Sequence, residues 1–129
     1  DANGNQKWFK EIGNFSFDES YAVALDQTGN TYTAGWTYNL IKPAIKYDIW
    51  LNKSDANGQT VWTQQFGTDG FEFAWDTATD SKGNIYITGW TTGDFEGKGN
   101  NPNSSYDVWL AKFLPDGTQS WVRQFGSPG

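Results

Sequence analysis

Hydrophobic and polar residues alternate in short runs along this chain, and Gly, Asp and Asn separate one run from the next. Alternation with a period of two is typical of β-strands, and these small polar residues are typical of turns. A helical period is not visible in the sequence. The pattern predicts an all-β protein with strands at 7–12, 21–25, 31–36, 48–53, 59–66, 73–79, 85–90, 107–113 and 118–125.

Three sequence blocks recur in the same order, so the predicted strands fall into two similar sets. The block DQTGNTYTAGWT at 26–37 returns as DSKGNIYITGWT at 80–91. YDIWLNK at 47–53 returns as YDVWLAK at 106–112, and WTQQFG at 62–67 returns as WVRQFG at 121–126. Repeats of this length are typical of solenoids, propellers and arrays, whose units bury their apolar surface against neighbours.

Four antiparallel strands in each repeat are the pattern of a β-propeller blade. The first strand of each set is rich in small residues, as a crowded central axis requires. Apolar residues also occur on both alternations of one strand, with Ile49 and Leu51 on one face and Trp50 on the other. This indicates a sheet that neighbouring sheets cover on both faces.

The three blocks together resemble the bacterial β-propeller repeat (SBBP) family, and the resemblance covers nearly the whole chain. The family is often found in large cell-surface or secreted proteins. The resemblance therefore implies a non-enzymatic scaffold or interaction module that is extracellular or on the bacterial cell surface. It also implies partner binding at the loops on one common face. The first unit departs from the repeat, since Ile12 replaces the Phe before Gly13 and the loop at 38–46 is shorter and more apolar than its counterpart.

The predicted strands do not divide evenly into blades. The predicted strand at 7–12 resembles the fourth strand of each set and precedes two complete sets. The predicted boundaries are therefore an outer strand of a preceding or neighbouring blade at 1–13, a first blade at 14–67 and a second blade at 68–129. Two blades cannot close a ring, because propellers usually contain about four to eight. A simple ring of identical copies is also disfavoured, since the surplus strand would compete with residues 121–125 of a neighbour.

Two explanations for the surplus strand stay open. The chain is an excerpt of a longer propeller, which fits its lack of Met and of a signal peptide, or the strand pairs with another subunit in a filament or swapped oligomer. Both make further blades of the same protein, or other copies of it, the expected partners. The residues expected to pair with a partner strand are Lys7, Trp8, Phe9, Lys10, Glu11 and Ile12.

The amino-acid composition also limits the classes of partner that the protein is expected to bind. The formal net charge is −6 and no basic cluster is present, which argues against nucleic acid as a partner. No run of 18 apolar residues occurs, so membrane insertion is not expected. The 129 residues suffice for one ordinary domain, and an aromatic share of 18% indicates that burial relies on large rings.

The residue types present also limit the chemistry. His and Cys are absent, which removes Ser-His-Asp and Cys-His catalysis and zinc sites built on these residues, so no catalytic residue is predicted. Paired carboxylates could still serve glycoside hydrolysis, but a solvated acidic surface is the favoured explanation, because the acidic residues in the connections form no recognisable motif. These residues are Asp18, Glu19, Asp69, Glu72, Asp94 and Glu96. Asp94 and Glu96, in the polar loop at 93–103, are weak candidates for calcium, and no other cofactor is indicated.

Trp36 and Trp90 are the candidate ligand-binding residues of an alternative function, with Asp94 and Glu96 beside them. Both Trp residues end equivalent strands close to the variable loops. An exposed Trp can stack on a sugar ring, which predicts a lectin-like or calcium-assisted glycan-binding module. Packing between blades is the favoured explanation of these residues, because the tryptophans fall at repeat-equivalent positions.

Overall fold

The computed structural model describes residues 3–13, 17–38, 46–97 and 106–126. These residues form two four-stranded antiparallel sheets and no helix, which confirms the all-β prediction. Sheet 1 contains β1 (Asp18–Leu25), β2 (Thr31–Tyr38), β3 (Tyr47–Ser54) and β4 (Thr60–Phe66). Sheet 2 contains β5 (Glu72–Thr79), β6 (Ile85–Thr91), β7 (Asp107–Phe113) and β8 (Gln119–Phe125).

Within each sheet, the strands pair in the order in which they occur in the sequence, so both sheets are meanders. The turns between strands are tight, as predicted. The Gly29 N–H donates to the Asp26 carbonyl oxygen at 3.1 Å, and the Gly83 N–H donates to that of Asp80 at 3.0 Å. Gly29 has a φ of 85°, a conformation that glycine adopts without steric cost.

The recurring Gly-Trp-Thr block lies opposite a β-bulge in both sheets. The register shifts between Ser20 and Ala22 in β1 and between Ala74 and Asp76 in β5. At the bulge the backbone of the first strand approaches the second so closely that a Cβ on Gly89 would overlap the carbonyl oxygen of Phe73. Only glycine fits there, which explains its recurrence in the block.

The two sheets pack face to face, and large rings fill the space between them. The Phe66 ring of β4 lies 5.7 Å from the ring of Trp109 and 5.1 Å from that of Phe113, both in β7. These contacts belong to a continuous core that also includes Tyr32, Ala34, Ile49, Leu51, Ala74, Ile85, Ile87 and Ala111. We call the contact between the two sheets the junction.

The described residues contain eight strands rather than the nine predicted, because residues 7–12 do not form a strand. The physical reason is that a fourth strand of the repeat pairs with the third strand of its own sheet, and both third strands described, β3 and β7, are already paired on both sides. Pairing of residues 7–12 with a strand of another blade stays a prediction, as do the blade boundaries at 13/14 and 67/68. Each observed sheet lies within one predicted blade range.

Parts of the variable loops, at 39–45 and 98–105, lie outside the described residues. The predicted partner face at the loop ends is therefore described only in part. Among the described residues, no helix is long and apolar enough to cross a membrane.

The junction is tested by comparing two equivalent phenylalanines. Phe66→Ala removes a ring that contacts Trp109 and Phe113, so the free energy of unfolding should fall by about 2–4 kcal/mol. Phe125, its counterpart in sheet 2, is 55% exposed, and Phe125→Ala should cost less than about 1 kcal/mol. Denaturant unfolding of dilute protein measures both values, and equal losses would contradict this account of the junction.

Candidate functional site

The recurring Asp, Asn and Tyr of the longest repeat form one hydrogen-bonded network at each turn. In sheet 1, Asp26 Oδ1 accepts the N–H groups of Thr28 at 2.9 Å and Asn30 at 3.0 Å, and Asp26 Oδ2 accepts the Tyr32 hydroxyl at 3.1 Å. In sheet 2, Asp80 Oδ1 accepts the N–H groups of Lys82 and Asn84, both at 2.9 Å. This part of the repeat therefore fixes the turn.

The same network changes the acidity of its members. Burial would raise the pKa of Asp26, but hydrogen bonds from Asn30 and Thr28 outweigh burial and hold this pKa well below its usual range. Burial, and then the hydrogen bond to Asp26, raises the pKa of Tyr32 above its ordinary value. Asp26 is therefore held ionised and Tyr32 neutral, which is the pair of protonation states that the turn requires.

The two predicted glycan-binding residues take part in aromatic contacts where the strands end. The Trp90 ring stacks on Phe73 with ring centroids 4.2 Å apart, and the Trp36 ring lies 5.6 Å from the same Phe73. Phe73 thus links the two residues across the junction. Trp90 also meets Tyr106 edge-on at 4.4 Å, and Tyr106 is 68% exposed.

The calcium candidates make contacts within the protein. Asp94 Oδ1 accepts the Glu96 N–H at 3.1 Å, and Glu96 Oε1 lies 3.8 Å from Arg123 Nη1. Within residues 3–13, 17–38, 46–97 and 106–126, no group of three or more acidic, His or Cys residues could hold a metal ion. The rest of the predicted loop, residues 98–103, lies outside the described residues, so calcium binding there stays a prediction.

Three buried carboxylates lie near the ends of the strands. One of them, Glu72, was predicted to lie on a solvated surface, which is wrong, because it begins β5 and is fully buried. Gln65 Nε2 donates to Asp48 at 3.1 Å, and Gln124 Nε2 donates to its counterpart Asp107 at 2.9 Å. Glu72 is fully buried at the junction and accepts the Thr68 N–H and the Thr91 hydroxyl, both at 2.9 Å. The joint recurrence of Tyr-Asp-x-Trp and Gln-Phe-Gly in the sequence was the signal for the Asp–Gln pairs.

Residues 7–13 lie against the face of sheet 1 that points away from sheet 2. We call this face the outer face of sheet 1. A Cβ built on Gly58 would lie 2.8 Å from Trp8 Cδ2, and Lys10 Nζ donates to Thr60 Oγ1 at 2.7 Å. Ile12 and Gly13 line a cavity of about 170 Å³ whose other walls are formed by Asp18, Thr37, Trp50, Thr63 and Gln65.

The position of residues 7–13 on sheet 1 matches that of β4 on sheet 2. Trp62 of β4 packs against a glycine turn in the same way as Trp8, since a Cβ built on Gly117 would lie 3.1 Å from Trp62 Cδ2. At the other end, Gly13 approaches Asp18 just as Gly67 approaches Glu72. Residues 7–13 therefore contact sheet 1 at the positions equivalent to those where β4 contacts sheet 2.

The face of sheet 2 that points away from the junction carries exposed apolar residues. Trp109 lies at the junction, and side chains alternate along a strand, so its neighbour Val108 is on the opposite face. Val108 pairs with Phe125 and is 52% exposed. We call this surface the outer face of sheet 2, and its members are Tyr86, Val108, Leu110, Lys112, Trp121, Arg123 and Phe125.

Residues 61–96 match the family model of the SBBP beta-propeller repeat. The matched range begins in β4 and ends beyond β6, so it includes the junction strand β5 and the turn block at 80–91. The match confirms the resemblance to this repeat family, and together with the two four-stranded sheets it supports a propeller-type interaction module. No curated protein matches the chain.

The hydrogen-bonded turn is tested by Asp26→Asn. The folded-state pKa of Asp26 is lowered, so the stability that its carboxylate contributes is present above about pH 4 and is lost as the pH falls through the folded-state pKa. The variant should be less stable by about 1–2 kcal/mol at neutral pH. This difference should shrink in acid, as measured by denaturant unfolding across a pH series.

Asp69→Asn is the matched control, because Asp69 is an exposed loop residue. Its stability should follow that of the unchanged protein at every pH. A penalty for Asp26→Asn that stays constant down to pH 2 would contradict the role given to the ionised carboxylate.

Proposed function

From the beta-propeller repeat and the exposed outer face of sheet 2, we propose that this chain is a non-enzymatic scaffold or interaction module of an extracellular or cell-surface protein. Its partners are further β-propeller blades, of the same protein or of other copies of itself. The observation that carries the proposal is the uncovered outer face of sheet 2, where Val108 is 52% and Phe125 is 55% exposed. Two blades cannot close a ring. Among the described residues, only residues 7–13 cover the outer face of sheet 1, and no further sheet lies on either outer face.

Residues 7–12 are the proposed point of pairing with a partner. They lie where a fourth strand packs, yet they pair with no strand among the described residues. Phe9 is 75% exposed and Trp8 is 40% exposed. Peptide groups in such a segment can add to the edge of another sheet, where backbone hydrogen bonds supply affinity and alternate side chains supply specificity.

The absence of His and Cys from the whole sequence agrees with a role without catalysis. The buried carboxylates have structural partners, since Gln side chains donate to Asp48 and Asp107, and Thr groups donate to Glu72. These groups stabilise strand ends and the junction. The negative net charge favours partners other than nucleic acid and anionic lipid.

Hydrogen exchange tests this proposal when it is measured on the full chain over a range of protein concentrations. The amides of residues 7–12 should become protected as the mass measured by light scattering rises. The amides of the turn at 26–29 serve as the internal control, since their hydrogen bonds lie within sheet 1. A chain that stays monomeric at all concentrations, with residues 7–12 exchanging freely, would overturn self-association.

Glycan binding at the loop ends is a second candidate function, and the observation that favours it is the exposed Tyr106 ring beside Trp90. An exposed aromatic ring offers an apolar surface with a polar edge, which suits a sugar ring. Tyr106→Ala should weaken binding to any glycan found on an array by about fivefold. Phe17→Ala is the control, because Phe17 is 78% exposed. No array signal, with or without Ca²⁺, would overturn this candidate.

A further inference from the structure

We propose that the outer face of sheet 2 docks onto the outer face of sheet 1 of a second copy, and that residues 7–13 compete with this docking. The inference rests on the proposed function and names the surfaces that meet. The junction within the chain supplies the geometry, because both outer faces repeat the faces that already meet there. The contact runs head to tail, so it joins copies into an open filament or a ring.

The outer face of sheet 2 carries similar residues, at equivalent positions, to the face of sheet 1 that is buried at the junction. In sheet 1, Ile49 pairs with Phe66 and is fully buried. In sheet 2, the equivalent pair is Val108 and Phe125, which are 52% and 55% exposed. The Lys–Tyr contact is repeated as well, with Lys53 Nζ 5.4 Å from the Tyr32 ring and Lys112 Nζ 5.3 Å from the Tyr86 ring.

The outer face of sheet 1 in turn repeats the sheet 2 face that is buried at the junction. Thr77 of β5 is 7% exposed, whereas its counterpart in β1, Val23, is 61% exposed. Trp50 of β3 is the counterpart of Trp109, whose ring meets Phe66 at the junction. Trp50 is 7% exposed, because Ile12 and Gly13 lie beside it. A docked second copy therefore replaces this segment at Trp50 with its Phe125 and also covers Val23.

The turn contacts at the junction predict polar contacts between the copies. Trp62 Nε1 and Lys53 Nζ both donate to the carbonyl oxygen of Pro115, at 3.1 Å and 3.0 Å. The counterpart of Pro115 in sheet 1 is Ala56. In the docked pair, Trp121 and Lys112 of one copy therefore donate to the Ala56 carbonyl oxygen of the other.

Residues 7–13 stand in the way of this contact. Trp8 packs against Gly58, and Gly58 is the turn glycine that Trp121 of a second copy would meet. The segment forms no strand among the described residues, and Trp8 is 40% exposed, so it is held less firmly than β4. Docking displaces the segment, which leaves its peptide groups available to pair with the free edge of β8 in the docked copy.

Sedimentation equilibrium of the full chain tests the docked faces. Phe125→Asp and Val108→Asp place a charge in the contact and should each weaken self-association by more than about tenfold. Val61→Asp is the matched control. Val61 lies on β4 and is 54% exposed, and the equivalent residue in sheet 2, Ser120, is exposed although sheet 2 packs at the junction. Docking should therefore leave Val61 exposed too. All three positions are exposed, so thermal unfolding should confirm that the variants fold.

Trp8→Ala distinguishes competition by residues 7–13 from a direct contact between Trp8 and the second copy. The variant loosens residues 7–13 and should tighten self-association by about fivefold or more, while Phe9→Ala, at a position 75% exposed, should have little effect. Added salt should also tighten the contact, because each copy carries a net charge of −6.

Two results would overturn the inference while leaving the proposed function intact. One is self-association that is unchanged by Phe125→Asp and Val108→Asp. The other is self-association that weakens with Trp8→Ala, since Trp8 would then contact the partner directly. A monomer under all conditions would overturn both this inference and self-association itself.

Discussion

Burial of aromatic rings between facing sheets is the interaction on which the rest of this structure depends. A four-stranded sheet of this size cannot bury enough apolar surface by itself, and the chain has no Cys with which to form a disulfide. Phe66 of sheet 1 fills the space beside Trp109 and Phe113 of sheet 2, and the aliphatic residues around them complete the core. The same interaction is unsatisfied at the outer face of sheet 2, where Val108 and Phe125 stay exposed.

The repeated blocks have structural roles that the hydrogen bonds make plain. Asp26 and Asp80 organise turns, Gly35 and Gly89 allow close approach at a bulge, and the Asp–Gln pairs connect β3 to β4 and β7 to β8. Features present in both units therefore describe the scaffold. The features that differ between units are the segment at 7–13 and the exposed Val108–Phe125 pair, and they are where recognition is to be sought.

The sequence was sufficient to predict the strands, the turns and the blade-like sets, because period-two alternation and turn glycines are local properties. It did not predict that residues 7–12 would form no strand, since pairing depends on whether a third strand with an unpaired side lies nearby, and β3 and β7 are both fully paired. It also gave no indication that Val108 would be exposed while Ile49 is buried. Both are apolar residues at the same place in the repeat, and only their neighbours in space distinguish them.

The meander order of each sheet has a consequence for how the protein folds. Every ladder joins strands that are adjacent in sequence, so the loops that must close are short and the contact order within a sheet is low. Pairing within a sheet therefore needs fewer distant contacts than the junction does, but neither sheet is stable until Phe66 packs against Trp109. Packing of the two sheets buries the apolar faces that carry these rings. If this packing is slow, the exposed apolar faces favour aggregation.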